Sequence, residues 1–223
     1  MLTAVRYIFY AECLIRMRRP QEWCYPIAFF LVTILLLPLA FTTDVSFLKQ
    51  FLPGYIWITA LFSCLLSLEQ VFLSDSYEDF TSQWFLAEIP LPILITIKLL
   101  VHWLVTGIPI VLFALLLCVL FQLPSLTTFS LSLSLLLGTI ILTWVGSLGA
   151  ALTMGLRQQS TLLGFLILPL TIPILVFGIS IPVQANAHLS VSGPFALLAA
   201  LLLIVIVFLP LAIAGTLRIT LSD

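Results

Sequence analysis

The sequence predicts an all-α integral membrane protein with six transmembrane helices, a cytoplasmic N-terminus and an N-terminal interfacial helix. Three observations carry that reading. Hydrophobic residues make up 62% of the chain and charged residues only 8%, apolar stretches long enough to span a bilayer recur six times, and basic residues fall almost wholly on one side of them. The mean hydropathy of +1.29 lies far outside the range of soluble domains, which need a charged surface to meet water. Lipid is the solvent of most of this chain.

A bilayer core of roughly 30 Å takes about 20 helical residues at about 1.5 Å each. Apolar runs of that size lie near 23–43, 51–73, 93–121, 126–154, 160–182 and 194–217, giving a single six-helix transmembrane domain over 23–218. The third and fourth runs exceed the requirement and are expected to tilt or protrude. Pro109, Pro169, Pro173 and Pro210 fall inside runs and predict kinks, tolerated where neighbours satisfy the freed carbonyl.

Orientation follows from the charges. Arg6, Arg16, Arg18 and Arg19 precede the first run, Arg157 follows the fourth and Arg218 follows the sixth, so all six arginines share one side. Lys98 opens the third run near that side, and only Lys49 falls on the other. The positive-inside rule makes the arginine side cytoplasmic. The outside loops near 44–50, 122–125 and 183–193 are short and offer no extracytoplasmic domain. No cleavable leader is expected, because the first run follows four arginines and is itself long enough to span.

Residues 1–22 read as a cytoplasmic interfacial helix: Leu2, Val5, Phe9 and Cys13 recur at intervals of three and four, and basic residues gather toward Pro20. Arg16 projects onto the apolar face and spoils it. A plain anchoring tail is the alternative. The four cysteines, Cys13, Cys24, Cys64 and Cys118, are scattered singly, with no metal or haem-attachment spacing, and read as small apolar packing groups.

The longest polar stretch is residues 74–92, the cytoplasmic connection between the second and third runs. It holds Asp75, Glu78, Asp79 and Glu88, four of the nine acids, and no base, mixed with Tyr77, Phe80, Trp84 and Phe85. Acids among aromatics suggest a docking surface. As a short helix, residues 75–86 would set Phe80 and Trp84 in one strip, with Asp79 and Gln83 beside them. Two other readings stand: the aromatics anchor at the headgroup level, or Asp75, Glu78 and Asp79 hold Mg²⁺ on a diphosphate. The second lacks a partner, because the other cytoplasmic connection supplies no carboxylate.

Glu69 and Lys98 flank this connection at similar depth, and an ion pair between them, or snorkelling toward the interface, is expected, since an unpaired charge at mid-bilayer costs about 2.5–3.5 kcal/mol. His102 lies one turn deeper than Lys98 on the same face. It could ligate a haem iron, bind a carboxylate or bond to a neighbour, while His188, in the last outside loop, could be a surface residue or an axial ligand. The pattern GxxxxGK[ST] is absent, so ATP hydrolysis of that type belongs to another chain. Gly146-Ser147-Leu148-Gly149 lacks the context of a nucleophilic serine and supplies small residues for close helix packing.

The segment Glu69-Gln70-Val71-Phe72, then Asp75-Ser76-Tyr77-Glu78-Asp79, then Pro90-Leu91-Pro92, then Lys98-Leu99-Leu100-Val101-His102-Trp103-Leu104-Val105-Thr106-Gly107-Ile108-Pro109 resembles the haem exporter protein B family. Length, span number and the arginine-rich start match as well. Phe80 stands where the family commonly has glycine, and Glu88-Ile89-Pro90 where it has a serine-proline element. The resemblance implies an ABC-2-like permease of the cytochrome c maturation system in a bacterial inner membrane. It implies ATP bound on a separate cytoplasmic ATPase subunit, a second copy of the permease, a haem-handling membrane protein and a small accessory subunit as partners. No permanently bound cofactor, metal site or nucleic-acid partner is implied; haem is the implied substrate. Asp75, Glu78, Asp79, Phe80, Gln83 and Trp84 become candidates for ATPase coupling, and His102 and His188 for haem contact. A coupling subunit that does not conduct haem, and a permease for an unrelated lipid or drug, are the competing readings.

Overall fold

The computed structural model describes residues 2–40, 45–68, 89–153 and 159–220. Seven helices fill these residues: α1 (Leu2–Met17), α2 (Pro20–Ala40), α3 (Val45–Leu68), α4 (Leu91–Leu120), α5 (Ser125–Thr153), α6 (Gln159–Asn186) and α7 (Ser192–Thr220). The last six are long and apolar enough to cross a membrane. With every backbone donor and acceptor satisfied inside its own segment, a helix is the form such a stretch takes in hydrocarbon. This is an all-helical, multi-pass membrane protein with one additional N-terminal helix.

α5 is the most buried span and α7 the least. α5 packs against α3, α4, α6 and α7, so the other spans are arranged around it. Small residues allow that: Gly138 of α5 and Gly178 of α6 both receive the indole of Trp57 from α3, while on α5 Gly146 receives Leu68 and Gly149 receives Ile167. Close approach of this kind gains van der Waals contact where lipid tails remove the hydrophobic incentive to associate. Ser147 is buried and donates to the Thr143 carbonyl at 2.7 Å, a packing role within its own helix.

Two hydroxyls of α3 reach backbone carbonyls of α2: Tyr55 donates to Thr33 at 2.9 Å, and Ser63 donates to Pro26. Trp57 donates to Ser134 at 3.1 Å and Trp103 to Thr139 at 3.0 Å, tying α3 and α4 to α5. These indoles bring large apolar area and a polar edge that must find an acceptor when buried.

At the end opposite the arginines, α4 and α6 close in the same way. The N–H of Gln122 bonds to Val119 and that of Leu123 to Cys118, with Gln122 at φ 53. The N–H of His188 bonds to Ala185 and that of Leu189 to Gln184, with His188 at φ 55. Both are Schellman caps, which need a left-handed residue just past the helix. Lys49 sits at this end too, donating to the Gln122 carbonyl at 3.4 Å.

Candidate functional site

The chemistry at the arginine-bearing end begins with a residue that spoils a pattern. α1 packs on α4 and α2, and Arg16, on its inward side, is 4% exposed. A buried guanidinium needs partners, because its desolvation costs several kcal/mol. Arg16 finds two through one nitrogen: Nδ1 of His102 on α4 at 2.8 Å and Oε2 of Glu22 on α2 at 3.4 Å. Glu22 in turn faces Arg19 through Oε1 at 3.6 Å. Pro20 opens α2 where its missing N–H costs nothing, and Glu22 lies in the first turn, where the helix dipole favours a carboxylate.

These contacts fix the state of the imidazole. Arginine has five donors and no acceptor, so Nδ1 of His102 must present its lone pair, and the proton of the neutral ring sits on Nε2. That N–H points at Oγ of Ser67 on α3, 3.1 Å away. Ser67 then donates its own proton to the Cys64 carbonyl at 2.7 Å. The result is a directed chain, Arg16 to His102 to Ser67 to the α3 backbone, that joins three helices. Thr106 donates to the His102 carbonyl at 2.7 Å, one turn further along α4.

Lys98, one turn before His102 and 2% exposed, lies within the field of Glu12, Arg16, Glu22 and Arg19. Burial lowers the pKa of Arg16 from its ordinary value, opposed by Glu12 and Glu22; an arginine remains a cation under that pressure. The Cys13 thiol is pushed up, by burial first and then by the Glu12 carboxylate. Arg16 Nε and Trp144 Nε1 are buried and make no hydrogen bond among the described residues.

The candidate residues read from the sequence divide in two. Glu69, Asp75, Glu78, Asp79, Phe80, Gln83 and Trp84 lie outside the described residues. Lys98 and His102 are brought into the cluster with Arg16. That cluster sits where the 69–88 connection joins the bundle: Ser67 is next to last in α3, and Lys98 is two turns into α4. Arg16, Glu22 and Ser67 were not singled out by sequence as site residues. The misfit of Arg16 on an apolar helix face was the signal, since a charge turned inward needs a partner at depth.

His188 is exposed and serves as the cap of α6. Beside it, a cavity of about 470 Å³ opens between Leu126, Phe129, Ala185, Leu189 and Phe195. Its wall is overwhelmingly apolar.

Comparison with known proteins gives a consistent match over nearly the whole chain. A family model described as CcmB protein matches residues 3–220. "Heme exporter protein B" of Pseudomonas aeruginosa is 41% identical over 213 residues, covering 95% of this chain and 95% of that protein. The protein of that name from Haemophilus influenzae is 38% identical over 212 residues, covering 95% and 96%. That of Escherichia coli K12 is 38% identical over 215 residues, covering 96% and 98%.

Proposed function

We propose, from the premise that this chain belongs to the CcmB protein family, that it is the membrane permease subunit of a haem export system serving cytochrome c maturation. The full-length similarity to proteins named as haem exporters carries this reading. Hydrolysis of ATP falls to a separate cytoplasmic subunit, the membrane is the bacterial inner membrane, and the arginine-bearing end faces the cytoplasm. A second copy of the chain is required because ATP sites of such subunits form between two ATPases, each needing a membrane anchor. A haem-handling membrane protein and a small accessory subunit complete the complex.

In this account the connection 74–92 docks on the ATPase through Asp75, Glu78, Asp79, Phe80, Gln83 and Trp84. Closure of the ATPase on ATP pulls on the ends of α3 and α4 and rearranges the bundle, a hinge or shear transition. Glu69 contributes a carboxylate beside Lys98 at the root of the same connection. Replacing Asp79 and Trp84 together by alanine is expected to abolish co-purification of the ATPase. Unchanged co-purification together with unchanged ATPase activity would remove this docking site.

A second reading has a specific observation in its favour. The buried hydroxyls of α5, from Ser130 through Ser134, Thr139, Thr143, Ser147 and Thr153, donate to carbonyls of their own helix. Both ring nitrogens of His102 are also engaged within the chain. Among the described residues little polar capacity is left inside one copy to line a path for a dicarboxylate porphyrin, which favours a coupling subunit that drives release of a haem-loaded neighbour. Of the two histidines, His188 is the one exposed for contact with an iron porphyrin. Haem flux in proteoliposomes containing only this chain and its ATPase would establish conduction; flux that needs the haem-handling neighbour would establish coupling.

A further inference from the structure

We propose that Arg16, His102 and Ser67 act as a latch that makes α1 move as one body with α3 and α4, and that the latch holds only while His102 is uncharged. The proposal rests on the reading of the 69–88 connection as the element driven by the ATPase. α3 ends at one root of that connection and α4 begins at the other. Arg16 lies against α4, and its chain of bonds crosses to α3 through a single imidazole. All three are positioning residues.

The dependence on a neutral ring follows from valence. Nδ1 is the only acceptor that His102 can offer Arg16, because Nε2–H is committed to Ser67. A second proton would set an N–H against a guanidinium donor at 2.8 Å, with Lys98 one turn away. The charged groups acting on the ring are Arg16 from α1 and Lys98 from α4; Glu22 from α2 shares the Arg16 guanidinium, and Glu12 of α1 and Arg19 act on Lys98. Of the other helices packed on α4, α5 contains no titratable residue, α3 contains Lys49, Tyr55 and Cys64, and α7 contains Arg218. Glu22 gives the released guanidinium an alternative partner through the nitrogen that now serves His102. Release therefore parts α1 from α4 while leaving it attached to α2.

The test uses the full chain in inside-out membrane vesicles of a strain that assembles the complex. Two readouts are taken: trypsin cleavage after the buried Arg16 relative to cleavage after the exposed Arg18, and the cellular level of holo c-type cytochromes. H102Q keeps an acceptor and a donor without charge and is expected to match the parent in both. H102R imposes a fixed cation and is expected to raise cleavage after Arg16 and lower cytochrome maturation by about tenfold or more, the scale of one lost charge-assisted hydrogen bond. R16Q/H102R exchanges donor and acceptor and is expected to restore cytochrome maturation, the readout that does not need Arg16, whether H102R itself folds or not. Failure of the exchange to restore, or equal behaviour of H102Q and H102R, overturns the latch. If cleavage follows the latch while cytochromes are unaffected, the latch stands and the haem reading fails.

Discussion

Arg16 and His102 stand 86 positions apart in the chain and 2.8 Å apart in the fold. The donor is a cation buried under an amphipathic helix, and the acceptor is an imidazole on a membrane-spanning one. Because arginine cannot accept, this one distance fixes the histidine tautomer, assigns the direction of the next bond to Ser67, and joins α1 to the two helices that carry the 69–88 connection.

The two partners differ in what their loss leaves behind. H102A removes one charge-assisted hydrogen bond but leaves the buried guanidinium its Glu22 carboxylate, and is expected to destabilise by about 1.5–3 kcal/mol. R16A takes the donor from His102 and one of two arginines from the buried Glu22 carboxylate, leaving it Arg19, and is expected to cost about 3–5 kcal/mol. Thermal unfolding of the detergent-purified proteins should therefore rank R16A below H102A, and H102A below the parent.

Trp57 lies against two glycines on two different helices, Gly138 and Gly178. A methyl group at either position collides with the indole, so G138A and G178A are each expected to cost about 1–3 kcal/mol by overpacking. Combining either with W57L should recover part of the loss, and this non-additivity is the signature of a shared contact. Equal thermal stability of G138A and the parent would contradict the packing described.

Cys13 has its thiol pKa raised, chiefly by burial and secondly by Glu12. Only the thiolate is nucleophilic, so at a given pH a smaller fraction of Cys13 reacts than of an ordinary thiol. Iodoacetamide modification of a variant retaining Cys13 alone should reach half its maximal rate at a higher pH than a free cysteine does. E12Q should move the midpoint down and R16Q up, because Glu12 raises the pKa and Arg16 lowers it.

The spans were legible because apolar length is written directly in composition: runs such as Leu91–Leu120 admit no reading but a buried or membrane helix. The approach of α1 to the bundle was half legible. Periodicity gave the helix, while Arg16 read as a flaw in its face because its partners come from remote segments that no local pattern links. Lys98 and His102 were visible as charged and titratable residues at membrane depth, and their neighbour on α1 was not. The positive φ of His188 could not be read at all, since a Schellman cap places a left-handed residue by geometry and histidine there carries no glycine signal.

The most direct test of the central claim is deletion of this protein followed by measurement of holo c-type cytochromes in membranes and periplasm. The account predicts loss of covalently bound haem from these cytochromes while the apoproteins are still made, with recovery when the chain is supplied from a plasmid. Normal levels of holo c-type cytochromes in the deletion strain would contradict it.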